Sequence, residues 1–371
     1  MSQSIETSPS PESFPRGQTQ IRDRSRSVSR VLVTGGTGFI GKNYLGLLNQ
    51  QVDRIRIAVR SGGRSRLPAL PGLDVCEIAM NRVEDWRRLV EGVDAVIHIA
   101  GATAGTRAEL LQANRDITLA LAKACSEVPN PPRLVYVSSL SAAGPSSSTR
   151  PRRPSDRAQP ISDYGQTKYE GELAALAYAD RVPTTILRPG IVFGPGDKEL
   201  VRLIDPIARF GVNPMAGFLD PKIAFVHVED LIDAICLAVT HGATCVGSEP
   251  HEGGGQGVYF VADPEFITLS QFARFVANGF GRSRVKDLRI PIPIVSGAAT
   301  ISERVSRWLG WRTTFNPDKI REASCAGWMC DVQSTIEELG WCPSLSLSQR
   351  LHQFASMVRT RSANGMASGG H

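Results

Sequence analysis

The stretch Val31-Leu-Val-Thr-Gly-Gly-Thr-Gly-Phe-Ile-Gly41 decides the fold. Its apolar start predicts a buried strand, a glycine-dense turn follows, and a helix with apolar periodicity then begins. Such a turn needs glycine because the chain turns tightly, the backbone approaches a pyrophosphate, and the helix packs closely on the strand. The free N–H groups and the positive dipole end of the helix also suit a diphosphate. The residues predicted to hold a dinucleotide here are Gly35, Gly38, Phe39, Ile40 and Gly41.

Strand-like and helix-like patterns alternate from this turn as far as Pro189. Ala95 to Ile99 is a nearly continuous apolar run, which is typical of a parallel strand buried on both faces. This alternation predicts an α/β fold with a doubly wound (Rossmann) parallel sheet. After Pro189, short helical patterns between loops rich in Gly and Pro predict a smaller, mostly helical C-terminal substrate lobe.

The predicted domain organisation follows from these patterns. Residues 1–29 are rich in Ser, Pro and Arg and are expected to form a disordered tail. We assign 30–190 to the dinucleotide-binding Rossmann domain, with contributions from about 220–262, and 191–360 to the substrate-binding lobe. Residues 361–371 are expected to form a second, loose tail.

Composition narrows the classes of function. The chain has 371 residues, 42% of them hydrophobic, which is enough for a sizeable core, and a net charge of +6. Much of the positive charge lies in the N-terminal tail without interleaved aromatic residues, so no nucleic-acid partner is expected. The seven cysteines are scattered and form no C-x-x-C pair, which is typical of a reducing compartment. We also find no signal peptide and no apolar segment long enough to span a membrane. Together these observations predict a cytoplasmic protein without a membrane partner. No metal is expected, because no set of four ligands stands out.

Tyr164 and Lys168 are spaced i, i+4, which places both on one face of a predicted helix. A phenol with a pKa near 10 is a poor base at neutral pH, whereas an adjacent ammonium favours the phenolate. Such a pair can exchange a proton with a carbinol oxygen. A surface tyrosine beside a solvated lysine is the alternative, but the position after the fifth predicted strand favours a functional pair.

Three hydroxyls, those of Ser138, Ser139 and Ser141, stand at the end of the fifth predicted strand. Ligands of open α/β sheets bind outside the carboxyl ends of the strands. One of these hydroxyls is therefore expected to hydrogen-bond the same substrate oxygen as Tyr164. Serine is also common in turns, and the residues alone do not rank the three.

Several motifs occur together in a single order along the chain. In this order and spacing the chain resembles the extended short-chain dehydrogenases/reductases of the NAD-dependent epimerase/dehydratase family. The resemblance covers about Val31 to Leu231 well and the C-terminal part loosely. The matching segments are Thr34–Gly41, His98–Gly101, Ser138–Ser139, Tyr164–Lys168, Leu187–Pro195, Phe225–Leu231 and Glu338–Pro343.

The resemblance implies a role for each matching residue. Tyr164 would be the acid/base, and Lys168 would bind the nicotinamide ribose and lower the pKa of the tyrosine. Ser139 matches the substrate-orienting Ser/Thr of the family. Asn114, on the helix after the fourth strand, matches its structural and proton-relay Asn. The residues implied to line the cofactor are Ala100, Gly101, Lys168 and Pro189.

The chain departs from the family pattern at two places. Members that prefer NAD usually end the second strand with an acidic residue that accepts from the ribose 2′-hydroxyl. Here Arg60 occupies that region, and a guanidinium suits a 2′-phosphate, so we expect NADP(H) rather than NAD(H). After the third strand Ala79 stands where the family often has an acidic residue for the adenine amino group. Asn81 or a backbone group is expected to replace it.

The resemblance leaves the reaction open. Leu140 and Ser141 follow Ser139, where 4,6-dehydratases usually have Asp-Glu, which argues against dehydration. Net oxidoreduction of a ketone or alcohol is favoured, because Ser139 to Pro145 resembles the strand-end segment of steroid dehydrogenases. The alternatives are a nucleotide-sugar epimerase that keeps NAD bound and, second, a non-catalytic cofactor-binding module. A homodimer is compatible with each of these.

Overall fold

The computed structural model describes residues 28–48, 54–308 and 317–367. Most of the N-terminal tail predicted for 1–29, and residues 368–371 of the C-terminal one, lie outside the described residues. The described strands, numbered in chain order, are β1 (Arg30–Thr34), β2 (Arg54–Val59), β3 (Leu73–Glu77), β4 (Ala95–His98), β5 (Arg133–Val137), β6 (Thr184–Pro189), β7 (Ile191–Phe193), β8 (Val212–Ala216), β9 (Lys222–Ile223), β10 (Phe225–His227), β11 (Val258–Val261), β12 (Ile267–Thr268), β13 (Lys286–Ile290) and β14 (Gly327–Trp328).

The helices alternate with these strands. They are α1 (Phe39–Leu48), α2 (Val83–Val90), α3 (Arg107–Leu111), α4 (Ile117–Glu127), α5 (Leu140–Ala143), α6 (Asp163–Leu176), α7 (Lys198–Phe210), α8 (Val228–His241), α9 (Leu269–Gly279), α10 (Ile292–Trp308), α11 (Pro317–Ala323), α12 (Gln333–Leu339) and α13 (Leu347–Ala367). A π-helical turn, Gln112–Asp116, joins α3 to α4. The wider turn interrupts what would otherwise be one continuous helix from α3 to α4.

Seven strands form one parallel sheet in the order β11-β6-β5-β4-β1-β2-β3. The order changes direction beside β1, and every neighbouring pair is parallel. The four residues of β4 are fully buried, as the apolar run predicted. The doubly wound Rossmann sheet predicted from the sequence is therefore confirmed.

Helices cover both faces of this sheet. On one face α1 contacts α8, and Tyr44 and Leu45 join a core that includes Leu231 and Ile235. On the other face α2, α4 and α6 pack side by side around the buried indole of Trp86. Since α8 and β11 both come from the region 220–262, that region completes the sheet layer.

The remaining elements form the C-terminal lobe, a name used here for α7, α9–α11, α13 and strands β8, β9 and β12–β14. Its core is aromatic, because Phe272 of α9 and Phe354 of α13 pack in one cluster with Phe193 of β7 and Phe225 of β10. Helix α13 packs on α9 and continues to Ala367, so residues 361–367 of the predicted tail are helical. A helix anchored by packing extends readily, because each further residue adds one backbone hydrogen bond. None of the described helices combines the length and the apolar character needed to cross a membrane.

A buried ion pair joins helix α6 to the sheet. Arg188 on β6 donates to both carboxylate oxygens of Glu172 at 2.9 and 2.6 Å, and both side chains are almost fully buried. The hydroxyl of Ser138, just after β5, donates to the same carboxylate at 2.5 Å. Such bidentate, charge-assisted hydrogen bonds fix geometry as well as charge. The pair therefore sets the position of α6 against the ends of β5 and β6.

Replacing Glu172 with Ala leaves the Arg188 guanidinium buried and unpaired, which is expected to lower the free energy of unfolding by about 3–5 kcal/mol. Urea denaturation monitored by circular dichroism measures this change. Glu170 on the same helix is the matched control, because its pairs with Arg107 and Arg115 are partly exposed. Glu170→Ala is expected to cost about 1 kcal/mol or less. Equal losses in the two variants would contradict a structural role for the buried pair.

Candidate active site

The turn between β1 and α1 forms a cradle that only glycine can line. Gly35 has φ of +77°, and a Cβ added there would lie 2.6 Å from the backbone nitrogen of Ala100. A Cβ on Gly41 would overlap the carbonyl oxygen of Gly35. The amide of Gly38 donates to that same carbonyl at 2.9 Å, which closes the turn. The backbone at the start of α1 is therefore open to a pyrophosphate, and the residues fit a bound dinucleotide.

A series of buried hydrogen bonds holds the ends of β1 and β4 together. The Thr34 hydroxyl lies 2.6 Å from Nδ1 of His98, and Nε2 of His98 lies 2.9 Å from the Thr118 hydroxyl. Because Thr118 already donates its proton to the carbonyl of Asn114, His98 must donate through Nε2 and accept at Nδ1. Burial, and then Lys168, lower the pKa of His98 to about 3, so the ring is neutral. The amide of Ala100 donates to Thr34 at 3.2 Å, which places the loop after β4 beside the glycine cradle.

Asn114 lies in the π-helical turn and ties the loop after β4 to helix α6. Its Oδ1 accepts from the Ala102 amide at 2.8 Å, and its Nδ2 donates to the Ala102 carbonyl at 3.1 Å and to the Thr167 hydroxyl at 3.0 Å. A Cβ on Gly101 would lie 2.8 Å from Oδ1 of Asn114. Glycine is thus required where the chain passes Asn114, and π turns of this kind are frequent at functional sites.

The structure distinguishes the serines at the end of β5. The Ser138 hydroxyl is directed into the core, where it donates to Glu172. The Ser139 side chain begins α5, accepting from the Ser141 amide at 3.1 Å. It also hydrogen-bonds the phenol of Tyr164, which lowers the pKa of that phenol. Of the three serines, Ser139 is the one that lies with Tyr164.

The surroundings of Tyr164 act on its pKa in opposite directions. Desolvation is the largest effect and raises the pKa, as do the carboxylates of Glu322 and Glu199. The hydrogen bond with Ser139 and the ammonium of Lys319 lower it. The net shift is upward from the ordinary value for tyrosine.

Lys168 shares the face of α6 with Tyr164 but is anchored elsewhere. Its Nζ donates to the carbonyl of Val137 at 2.9 Å and lies 4.3 Å from the ring centroid of Tyr136. Burial lowers the pKa of Lys168 to about 7, while the nearby carboxylate of Glu172 opposes that shift. The ammonium thus loses its proton far more readily than that of an ordinary lysine.

Helix α11 of the C-terminal lobe supplies residues that the sequence analysis missed. Nζ of Lys319 lies 5.0 Å from the ring centroid of Tyr164 and 2.8 Å from Oε2 of Glu322. Asp318 accepts from the backbone amide of Tyr164 at 3.3 Å. About 155 residues separate α11 from Tyr164, so no local spacing signals the contact.

The turn after β2 presents arginines to solvent. Arg60 follows the last residue of β2, and its carbonyl accepts from the Gly63 amide at 2.8 Å, which makes the turn tight. Arg64 and Arg66 lie in the short 3₁₀ turn that follows and are also exposed. Within the described ranges, none of these three arginines forms an ion pair with a carboxylate. The nearest acidic side chain recorded at this turn is that of Glu77, which accepts from the Gly62 amide at 3.4 Å.

The segment after β3 holds the residues predicted to contact the adenine. The backbone amide of Ala79 is engaged by Oδ2 of the buried Asp85 at 3.3 Å. Asn81 is exposed two residues further on. A role for Asn81 with adenine stays a prediction.

The glycine cradle at the edge of a seven-stranded parallel sheet defines a dinucleotide-binding protein of the Rossmann class. The family model described as "NAD dependent epimerase/dehydratase family" matches residues 31–249. This chain belongs to that family and is an enzyme of the extended short-chain dehydrogenase/reductase type.

Proteins of more than one activity align over most of the chain. UDP-glucose 4-epimerase of Vibrio cholerae is 26% identical over 88% of this chain and 94% of its own length. The 3β-hydroxysteroid dehydrogenase/Δ5→4-isomerase of Mycobacterium tuberculosis is 29% identical over 87% and 89%. The structure of dTDP-glucose 4,6-dehydratase from Bacillus anthracis in complex with NAD has a TM-score of 0.70 at 17% identity, over 90% of this chain and 98% of that one. The structural match shows a shared fold.

Gly41→Ala is expected to weaken cofactor binding by at least about tenfold in Kd and to lower the melting temperature, because the new methyl group overlaps the Gly35 carbonyl. Titration of intrinsic fluorescence with NADPH and with NADH measures the first effect. Gly46 is the matched control on the same helix α1, since a Cβ there meets no atom within 4 Å. Gly46→Ala should leave Kd unchanged and raise stability by up to about 1 kcal/mol. An unchanged Kd in Gly41→Ala would refute the assignment of the cradle.

Proposed function

We propose that the protein is an NADP(H)-dependent reductase or dehydrogenase in which Tyr164 exchanges a proton with the oxygen of a ketone or carbinol. The observation that carries this proposal is the hydrogen bond between Tyr164 and Ser139 at the carboxyl end of β5. Ligands of this sheet class bind at that edge, beside the glycine cradle. The cofactor, when bound, supplies the hydride or takes it up at the carbon that bears this oxygen.

In the reducing direction the phenol of Tyr164 donates its proton to the substrate oxygen. The Ser139 hydroxyl, fixed at the start of α5, then donates to the phenolate or to the substrate oxygen and stabilises whichever carries charge. In the oxidising direction the phenolate takes the proton back. A raised pKa keeps Tyr164 protonated at neutral pH, and this favours the role of acid over that of base.

Lys168 and Asn114 support this exchange from the sheet side. The pKa of Lys168 is lowered to about 7, so it can give up and regain a proton near neutral pH. Asn114 holds Ala102 and Thr167 together, and Thr167 lies next to Lys168 on α6. We assign Lys168 to the ribose of the cofactor and to proton return, and Asn114 to positioning the loop after β4. Pro189 is the last residue of β6, and Gly101 follows shortly after the end of β4. Both therefore belong to the carboxyl edge of the sheet, and we assign them to the cofactor as well.

NADP(H) is preferred over NAD(H) in this proposal because Arg60, Arg64 and Arg66 are exposed at the end of β2. A 2′-phosphate accepts charge-assisted hydrogen bonds from such guanidinium groups. The first alternative is a nucleotide-sugar epimerase with tightly bound NAD. It is favoured by the Tyr-Gly-x-Thr-Lys form of the segment 164–168 and by the alignment with an epimerase. Purified protein distinguishes the two, since co-purified NAD supports the epimerase and cofactor-free protein that consumes NADPH with ketones or aldehydes supports the reductase.

Tyr164→Phe removes the exchangeable proton and is expected to lower turnover by at least about a hundredfold, with Kd for NADPH nearly unchanged. NADPH consumption with a panel of ketones and aldehydes measures turnover, and fluorescence titration measures Kd. Tyr169→Phe is the matched control on the same helix, because its hydroxyl contacts Glu249 rather than Ser139. Turnover above a hundredth of wild type in Tyr164→Phe would refute the role of acid/base.

Arg60→Ala is expected to raise Kd for NADP⁺ about tenfold, the equivalent of losing one hydrogen bond between charged groups, and to leave Kd for NAD⁺ unchanged. Arg54→Ala is the matched control, because Arg54 is exposed at the opposite end of the same strand. Isothermal titration calorimetry of wild type and both variants with both nucleotides gives the six dissociation constants. If wild-type protein binds NAD⁺ ten times more tightly than NADP⁺, the preference proposed here is wrong.

A further inference from the structure

Helix α11 of the C-terminal lobe is fixed on the first turn of α6, the helix that carries Tyr164. Oδ2 of Asp318 accepts from the amide of Asp163 at 2.7 Å and from that of Tyr164 at 3.3 Å. Oε1 of Glu322 accepts from the hydroxyl of Ser162, the N-cap residue, at 2.5 Å. The first N–H groups of a helix lack partners within the helix, and here the C-terminal lobe supplies acceptors for them. The two elements therefore hold each other in one register.

This register places an ammonium on the ring of Tyr164. Nζ of Lys319 lies 5.0 Å from the ring centroid, and the side chain is 36% exposed. The same ammonium donates to Glu322, with Oε2 at 2.8 Å from Nζ. The negative charge of a phenolate spreads into its ring, so a cation over the ring favours the phenolate over the phenol.

The other groups around Tyr164 do not supply this charge. Lys168, on the same helix, has its Nζ on the carbonyl of Val137. Glu199 of α7 approaches from the C-terminal lobe and, like Glu322, disfavours the phenolate. Asp318 and Asp163 lie at the backbone of the first turn, where Asp163 pairs with Arg107. The remaining neighbours are the neutral hydroxyls of Tyr136 on β5 and of Ser139 at the start of α5.

We infer that Lys319 is a positioning residue that sets the acid strength of Tyr164, with Glu322 as its counter-charge, so that the C-terminal lobe tunes the proton transfer. This inference rests on the proposed function for its catalytic meaning, but the effect on the phenol exists without substrate. Lys319 stabilises the phenolate that is left after proton donation, and Glu322 limits that effect. Docking of α11 on α6 is what brings both groups to the ring.

The test is the titration of Tyr164 in the full-length protein, followed by ¹³C NMR of ring-labelled tyrosine. The signal of Tyr164 among the six tyrosines is identified by its absence in Tyr164→Phe. Lys319→Met is expected to raise the pKa of Tyr164 by at least about one unit, whereas Glu322→Gln lowers it. Lys319→Arg restores the wild-type value. Lys222→Met, an exposed lysine on β9 of the same lobe, is the control and leaves it unchanged.

A purely structural role makes a different prediction, since loss of either partner would then disturb α11 in the same way. Shifts of the same sign in Lys319→Met and Glu322→Gln, or no shift in a Lys319→Met protein that melts cooperatively, would overturn the inference. Should Lys319→Met fail to fold, the direction of the Glu322→Gln shift decides. The pH profile of kcat/KM for NADPH-dependent reduction is expected to move with the titration. Activity retained in Tyr164→Phe counts against the proposed function alone, because the titration is measured without substrate.

Discussion

The buried carboxylate of Glu172 is the constraint on which the geometry of the site depends. Tyr164, Lys168 and Glu172 follow one another at i, i+4 and i+8, so they form one stripe along α6. The last of them is fixed in the core by Arg188 and Ser138. A buried charge is tolerated only with its partners in place, so α6 has little freedom to rotate or slide. Ser138 directly precedes Ser139, and Arg188 directly precedes Pro189. The contacts of Glu172 therefore hold α6 and the ends of β5 and β6 together as one unit.

Much of this arrangement could be predicted from the sequence because it follows from short-range rules. The glycine spacing predicted the turn, the apolar runs predicted the parallel sheet, and the topology predicted that Ser139 and Tyr164 lie at the same edge. The rest depends on contacts between distant parts of the chain. Ser138 differs from Ser139 because Glu172, 34 residues away, accepts its proton. The π turn at Asn114 likewise brings that side chain against Ala102 and Thr167, a contact that apolar periodicity does not register.

Two lysines of different character act on the site from opposite sides. Lys168 is buried, and desolvation brings its pKa to about 7, which suits a group that passes protons near neutral pH. Lys319 is partly exposed and pairs with Glu322. Desolvation lowers its pKa, but Glu322 and Tyr164 raise it by more, so the net shift is upward and Lys319 stays charged. A fixed cation is suited to stabilising a phenolate but not to shuttling a proton. In the proposed mechanism helix α6 thus contributes the labile charge and the C-terminal lobe the constant one.

The choice between net oxidoreduction and epimerisation depends on residues outside Tyr164 and Ser139, because members of both kinds align with this chain. At the cofactor edge, exposed arginines beyond β2 favour a phosphorylated dinucleotide. Near Tyr164, the carboxylates of Glu322 and Glu199 both raise the pKa of the phenol that we propose as the acid/base. Lys319, paired with Glu322 and lying over the ring of Tyr164, offsets part of their charge. The reacting carbinol is neutral in a simple ketone or alcohol and in a nucleotide sugar alike, so the proposed preference for net reduction rests on the arginines after β2 and not on the charge around Tyr164.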